Sequence, residues 1–144
     1  MFAQMDHVAV SVKDMERAIA FYQDIIGLEK VFDREFDAPM AKLIGVEGTK
    51  VRIVHMRLGD AMVELFYYYH PKGRDPLPNR QQSDFGLTHI GFKVRNFHET
   101  YRKLKERGVQ FFSEPVEFRP GVFIAYFRGA EHEICEMREV AEPS

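Results

Sequence analysis

Two histidines and two glutamates stand at matching places in the two halves of this 144-residue chain. His7 opens the segment His-Val-Ala-Val and His89 opens His-Ile-Gly-Phe, while Glu64 and Glu136 lie in the last strand-like segment of each half. Two neutral imidazoles and two carboxylates suit a borderline divalent ion such as Zn²⁺, Fe²⁺, Mn²⁺, Co²⁺ or Ni²⁺. Such a set leaves one or two coordination positions for water or substrate, as a catalytic metal site requires.

The four donors belong to an internal repeat. Residues 5–27 and 87–108 each contain a strand-like alternation that starts near the histidine, a polar turn, and a helical pattern that stops at a glycine. Asp14 and Asn96 stand at the N-cap positions of the two predicted helices. A repeat of this length is a repeated supersecondary unit, so we expect both halves to fold alike.

Alternation along the strands predicts which face carries the donors. Val8 and Ile90 follow the two histidines, and Val63 and Leu65 flank Glu64, so the apolar side chains occupy the opposite phase. The apolar phase is expected to pack against the helices. The histidines and glutamates are therefore expected on the other face of each sheet.

A two-residue turn, Gly59-Asp60, joins predicted strands at 51–58 and 61–69. Counting back from this turn places His55 directly opposite Glu64, on the same face of the sheet. His55 is therefore predicted to orient that carboxylate or to contact substrate. A cross-strand hydrogen bond without any role in binding is the alternative interpretation.

Further substrate contacts follow from the same kind of counting. Arg57 shares the phase of His55 and is predicted to hold an anionic group; a surface ion pair is the alternative. In the second half, a turn at 129–132 is predicted to join the last two strands. With that turn, Phe123 and Phe127 share a face with Glu136, and they would form an apolar wall for a substrate with a hydrophobic part.

The complete pattern is βαβββ, a linker, and βαβββ again, which we interpret as one α+β domain spanning residues 1–144. The predicted parts are a first module at about 5–69, a linker rich in proline and charge at 70–85, and a second module at about 86–138. The first module also carries an insert at 33–48, with a helical turn behind Pro39. The second module has no such insert.

Composition excludes several classes of function. The net charge is −2 with both signs mixed, so no basic face for nucleic acid is indicated. A single cysteine, Cys135, excludes an internal disulfide, fits a reducing compartment and is predicted to lie in the core. No apolar run approaches the roughly 20 residues that span a bilayer. Since no signal peptide is recognised either, we expect a cytoplasmic protein.

The paired openings and the four donors resemble the vicinal oxygen chelate superfamily, which comprises glyoxalases, bleomycin resistance proteins and extradiol dioxygenases. The resemblance runs from about Met5 to Arg138 and implies two curved mixed sheets that form a metal-binding cup. It also implies one divalent ion held by the four donors introduced above. The carboxylate at Glu64 is closest to the ligand pattern of glyoxalase I. The final turn departs from the Asp-Pro-Asp-Gly common in the family, because this chain has Gly129-Ala-Glu-His132 there.

The activity that the resemblance implies is that of a lactoylglutathione lyase-like lyase or isomerase. Glu136 or Glu64 would be the base that takes a proton from the carbon next to a metal-chelated carbonyl. The alternatives are a methylmalonyl-CoA epimerase-like enzyme, an extradiol dioxygenase-like enzyme, and a resistance-type protein that sequesters a ligand without chemistry. The family also implies a homodimer, with modules paired within one chain or exchanged between chains.

Overall fold

The repeat in the sequence is also a repeat of structure, because each half of the chain builds a four-stranded mixed sheet. The computed structural model describes residues 1–141. They divide into two units, one spanning Met1–Pro76 and the other starting at Leu77, so the division falls inside the predicted linker. The α+β class and the two βαβββ modules are confirmed, while the metal cup stays a prediction.

The first unit follows the predicted order of elements. Its elements are β1 (Val8–Ser11), α1 (Met15–Ala20), a π-helical turn (Phe21–Ile26), β2 (Glu29–Phe36), α2 (Ala38–Ile44), β3 (Lys50–Leu58) and β4 (Ala61–His70). The sheet order is β1-β4-β3-β2, with β1 parallel to β4 and the other neighbours antiparallel. The insert thus holds the predicted short helix, α2, and Pro39 lies in its first turn.

The first helix begins and ends where the sequence predicts. The side chain of Asp14 accepts a hydrogen bond from the backbone N–H of Arg17 and caps α1. Gly27 has a left-handed φ of 92° and closes the π-helical turn, a conformation that a glycine adopts without strain. The helical segment lies against β4 and buries its apolar stripe, which consists of Met15, Ala18, Ile19 and Tyr22.

The β3–β4 hairpin has the predicted register. Leu58 pairs with Ala61, Arg57 with Met62, Met56 with Val63, and His55 with Glu64. Because the turn has only two residues, its length fixes which residues pair further along the two strands. Val54, Met56, Val63 and Leu65 are buried, which places the apolar phase in the core of the unit.

β2 departs from the prediction by its length and by a bulge. It runs to Phe36 along β3 and so extends into the segment that was predicted to be an insert, 33–48. The register shifts between Lys30 and Phe32, so Val31 is an extra residue on this strand. The bulge brings Phe32 directly opposite His55.

The second unit repeats the plan without the insert. Its elements are β5 (Ile90–Lys93), α3 (Phe97–Glu106), β6 (Val116–Arg119), β7 (Val122–Arg128) and β8 (Ile134–Val140). The sheet order is β5-β8-β7-β6, with β5 parallel to β8. Cys135 is fully buried, as predicted. No helix within residues 1–141 is both long and apolar enough to cross a membrane.

The cap of α3 differs from the prediction. Asn96 stands at the N-cap position, but its side chain makes no capping hydrogen bond, because its backbone is left-handed with φ of 54°. An N-cap side chain normally reaches the first turn from an extended backbone. The carboxylate of Glu139 replaces it by accepting hydrogen bonds from the N–H groups of Asn96 (2.9 Å) and Phe97 (3.1 Å). The helix start is therefore capped from β8.

The predicted phase of the last hairpin was wrong by one residue. Arg128 pairs with Ile134, so five residues, 129–133, form the loop in place of four. His132 takes a positive φ of 64°, and the N–H of Gly129 donates to the carbonyl of Glu133. A shift of one residue exchanges the two faces of a strand. Phe123 and Phe127, predicted beside Glu136, consequently lie on the opposite face.

Candidate functional site

In the first unit, two imidazoles flank one carboxylate. His7 Nε2 lies 3.2 Å from Glu64 Oε2, and His55 Nε2 lies 3.0 Å from Glu64 Oε1. The parallel register of β1 and β4 brings His7 to Glu64, because Ala9 pairs with Glu64 and His7 precedes it by one alternation. The Glu64 side chain is 13% exposed, so its oxygens are held in a partly desolvated place by these two rings.

His7 is also fixed from its other side. Its Nδ1 lies 2.6 Å from Oδ2 of Asp6. This hydrogen bond raises the pKa of His7, and the charges of Glu64 and Asp6 add to it while burial opposes it. A proton shared between Nδ1 and Asp6 selects the tautomer in which Nε2 carries a lone pair. The ring is thus oriented as a metal ligand requires.

The second unit repeats this arrangement. His89 Nε2 lies 3.0 Å from Glu136 Oε2, and His89 Nδ1 lies 2.8 Å from the hydroxyl oxygen of Thr88. Gly91 pairs with Glu136, and a Cβ built on Gly91 would meet Glu136 Oε2 at 3.7 Å. Each histidine therefore lies beside the glutamate of its own unit.

Tyr126 is a site residue that the sequence did not predict. It pairs with Glu136 across β7 and β8, as His55 pairs with Glu64 in the first unit. Its ring contacts the ring of His89 edge to face, with centroids 5.1 Å apart. Burial and the charge of Glu136 raise the pKa of Tyr126. The internal repeat contained the information needed to find Tyr126, because this position faces Glu136 as His55 faces Glu64.

The two phenylalanines that were predicted in this place pack toward the helix. Phe127 is 1% exposed and its ring lies 5.6 Å from that of Phe111. Phe123 contacts His98 of α3, with ring centroids 4.8 Å apart. Both side chains belong to the core side of the sheet and have no access to the face that carries Glu136.

An aromatic wall does exist, but it belongs to the first unit. Phe32 stacks on His55 with centroids 4.4 Å apart and on Phe36 at 6.1 Å. Phe66 follows Glu64 by one alternation on β4 and so lies on the same face. The bulge in β2 sets Phe32 in this position. Glu64 and its two imidazoles thus lie beside a surface suited to an apolar or planar group.

Arg57 lies on the predicted face, but its contact is with protein. Its Nη2 is 3.6 Å from Oε2 of Glu29 across β2 and β3, and half of the side chain is exposed. This is the surface ion pair that the sequence left open as an alternative. An anion-holding role for Arg57 stays a prediction.

The donor chemistry of both pairs fits a divalent ion. Each pair offers one imidazole nitrogen and one carboxylate, and each imidazole has a polar partner at Nδ1. Coordination of an ion would replace the direct contact between Nε2 and the carboxylate in each pair. Within residues 1–141, no three histidine, cysteine, aspartate or glutamate side chains are already grouped so as to hold an ion.

Comparisons with known proteins agree on the family. The model of the Glyoxalase/Bleomycin resistance protein/Dioxygenase superfamily matches residues 4–131. Human mitochondrial methylmalonyl-CoA epimerase is 30% identical in an alignment 128 residues long, which covers 84% of this chain and 65% of that protein. The 2-epi-5-epi-valiolone epimerase of an Actinomyces species is 31% identical in an alignment 121 residues long, which covers 80% of this chain and 65% of that protein. The chain thus spans slightly less than two thirds of either relative.

Solved structures share the fold at lower identity. A glyoxalase family protein from Bacillus cereus superimposes with a TM-score of 0.88 at 21% identity, covering 98% of this chain and 97% of that one. The fosfomycin resistance protein FosX from Listeria monocytogenes, solved with Mn(II) and 1S,2S-dihydroxypropylphosphonic acid, gives 0.68 at 17% identity. That match covers 98% of this chain and 93% of the other.

Proposed function

Because this chain belongs to the Glyoxalase/Bleomycin resistance protein/Dioxygenase superfamily, we propose that it is a metal-dependent epimerase. It removes a proton from a carbon next to a carbonyl and returns it on the opposite side of that carbon. The observation that carries the proposal is the repeated pair of histidine and glutamate, at 3.2 Å in the first unit and 3.0 Å in the second. The two curated relatives described above are both named epimerases.

The proposed ligands of the ion are His7, Glu64, His89 and Glu136. They come from one chain or from two copies of it, and either arrangement gives the same donors. When bound, the ion draws electron density from the carbonyl oxygen and so acidifies the neighbouring carbon. The protein contributes two rings that are each held at Nδ1 by a polar neighbour, Asp6 for His7 and Thr88 for His89.

We assign the base to Glu136. Both oxygens of Glu64 have an imidazole nitrogen within 3.2 Å. Glu136 contacts His89 through Oε2 only, and within residues 1–141 its Oε1 has no polar contact. A carboxylate with one uncommitted oxygen is better placed to accept a proton from carbon. Tyr126, directly opposite, is positioned beside that carboxylate.

A second candidate is a glyoxalase I-like isomerisation, and Glu64 is the observation that favours it. Its carboxylate at the second donor position follows the glyoxalase I pattern. The chemistry is related, since both reactions begin by removing a proton next to a carbonyl. Epimerisation returns a proton to the opposite face of the same carbon, whereas the isomerisation returns one to the neighbouring carbon. The aromatic wall of Phe32, Phe36 and Phe66 suits an apolar part in either substrate.

The test uses the purified protein loaded in turn with Zn²⁺, Ni²⁺, Co²⁺, Mn²⁺ and Fe²⁺. Incubation with methylmalonyl-CoA in D₂O is expected to replace the proton at carbon 2 with deuterium at a rate above the uncatalysed one. Turnover of the methylglyoxal–glutathione hemithioacetal alone would select the second candidate. Oxygen uptake with a catechol, or binding of an aromatic ligand without any turnover, would contradict both.

Two further expectations remain predictions, namely the homodimer and the cytoplasmic location. Sedimentation of the purified protein tests the first. Fractionation of the source cells tests the second.

A further inference from the structure

Two cationic side chains face each other on the sheet of the second unit. Lys93 ends β5 and pairs directly with Arg138 of β8 in the parallel register. Gly91 and Glu136 form the preceding pair on the same face, because side chains two residues apart point the same way. The two cations therefore share the face of Glu136 and His89.

This pairing works against the stability of the sheet. Like charges directly opposite each other across two strands repel and destabilise the pairing. A carboxylate nearby would relieve the repulsion, yet within residues 1–141 neither Lys93 nor Arg138 lies within 4.0 Å of one. The next residue across the sheet from Arg138 is Ile124, which is apolar. A local arrangement that opposes stability without compensation is typical of a functional position.

The fold does not require cations at these positions. In the first unit, the equivalent pair is Ser11 and Phe66, which is neutral. Both pairs stand two residues beyond the pair that contains the glutamate, Ala9–Glu64 in one unit and Gly91–Glu136 in the other. The two units have the same arrangement of strands but differ in charge at this pair of positions. The two cations are therefore not required to form the sheet.

Lys93 and Arg138 also lie close enough to Glu136 to contact a substrate that reacts there. Two residues along a strand correspond to about 7 Å. Gly91 has no side chain, so nothing on β5 stands between His89 and Lys93 on this face. A guanidinium and an ammonium side by side suit a carboxylate or a phosphate, which the guanidinium binds through two parallel hydrogen bonds.

We propose that Lys93 and Arg138 form a binding subsite for an anionic group of the substrate, a carboxylate or a phosphate about 7 Å along the sheet from Glu136. The proposal deepens the proposed function, on which its reference to a substrate rests. The proposed substrate is therefore an anion. Its charged group lies beside β5 and β8 of the second unit, on that side of the reacting carbon.

Binding is tested on the metal-free protein, so that the result does not depend on turnover. Malonate, inorganic phosphate and neutral dimethyl malonate are titrated while backbone amide NMR shifts are followed. The variants are Arg138→Gln and Lys93→Gln. The matched control is Arg102→Gln, which removes an exposed cation of α3 whose Nη1 lies 2.6 Å from Glu106.

We expect malonate or phosphate to shift the amides of β5 and β8, and the stronger of the two identifies the class of anion. Dimethyl malonate should cause no shift there. Each site variant should weaken anion binding at least tenfold, while the control stays within twofold. The melting temperature of both site variants should equal or exceed that of the wild type, because one of two opposed charges is removed.

Anion binding that is absent from the wild type, or equal in the wild type and Arg138→Gln, would overturn the subsite. A lower melting temperature in both site variants would give the cations a structural role and would also overturn it. If α-proton exchange fails while anion binding behaves as expected, the proposed function falls and the subsite stands.

Discussion

At the scale of single residues, the site depends on how each imidazole is held. His7 and His89 present Nε2 to a glutamate, and the residue just before each histidine contacts Nδ1. The partner is a carboxylate in one case, Asp6, and a hydroxyl in the other, Thr88. Because both hydrogen bonds form within adjacent residues, the rings are oriented before any ion arrives.

Removing the partner of His7 should weaken metal binding. We expect Asp6→Asn to raise the dissociation constant for Zn²⁺ about tenfold, the low end for such partners, because the Asp6 side chain is three-quarters exposed. Competition with a chromogenic chelator measures the constant. Asp60→Asn, in the β3–β4 turn, is the control and should leave it unchanged. Equal affinities in all three proteins would show that Asp6 has no role in holding the ring.

Replacing the assigned base should remove turnover. Glu136→Gln keeps the size of the side chain but cannot accept a proton, so we expect kcat/KM to fall by about 10²–10⁴-fold and metal retention to weaken. Glu106→Gln, at the end of α3, is the control. Rates are measured with whichever substrate shows α-proton exchange in the wild type. A variant with full activity would refute the assignment.

At the scale of elements, the register of two hairpins decides which side chains reach the site. The β3–β4 hairpin was predicted correctly, since Gly59-Asp60 is a turn whose length fixes every pair beyond it. The β7–β8 hairpin was not, since its loop gains a fifth residue through the positive φ of His132. The residue types at 129–133 do not predict that conformation. A loop that is longer by one residue is enough to put Tyr126, and not Phe127, on the face of the site.

The corrected phase predicts two different mutational effects. Phe127→Ala should lower the free energy of unfolding by about 3–5 kcal/mol, because it empties a core position that is 1% exposed. Tyr126→Phe, on the other face, should change it by about 1 kcal/mol or less. Urea denaturation measures both. The reverse order of effects would restore the phase predicted from the sequence.

An ion-pair network joins three elements of the first unit and gives a test in acid. Arg52 on β3 contacts Asp33 on β2 through Nε and Nη2, at 2.8 and 2.7 Å, and Glu16 on α1 through Nη1 at 2.6 Å. The hydrogen bond from Arg52 lowers the pKa of Asp33, although burial opposes it. A lowered pKa in the folded state means that ionised Asp33 stabilises the fold at neutral pH.

We expect Asp33→Asn to lose about 1–2 kcal/mol of unfolding free energy at pH 7, since the pair is two-pronged and both side chains are less than a third exposed. The difference from wild type should hold down to about pH 4 and shrink as the pH falls through the folded pKa of Asp33. Asp75→Asn removes an exposed pair with Lys13 and should matter little. A difference that does not change between pH 7 and pH 3 would contradict this role.

At the scale of the whole molecule, duplication explains both what the sequence predicted and what it missed. The repeat placed Glu64 and Glu136 correctly on the last strand of each unit, because alternation and the βα pattern are local properties. His7 and His89, expected early in β1 and β5, lie one residue before those strands. The bulge at Val31, the cap by Glu139 and the five-residue loop escaped prediction. Each of them depends on contacts between distant strands or on a single backbone angle.

The two halves have also diverged, and the divergence bears on the substrate. Around Glu64 lie His55 and the phenylalanines of the aromatic wall. The strands next to Glu136 carry Tyr126, Lys93 and Arg138 instead. A duplicated framework has thus kept its donor pair in each half while one surface became aromatic and the other cationic. These differences are the reason that we expect the substrate to carry an anionic group and an apolar part.

The proposal that both halves hold one ion is tested most directly by titrating metal-free protein with Zn²⁺ in a calorimeter, for the wild type and for His7→Ala and His89→Ala. We expect one ion per chain in the wild type and a loss of affinity of at least a hundredfold in either variant, because each half is proposed to supply one donor pair. Binding of one ion with unchanged affinity in either variant would contradict it, since one half would then hold the metal without the other.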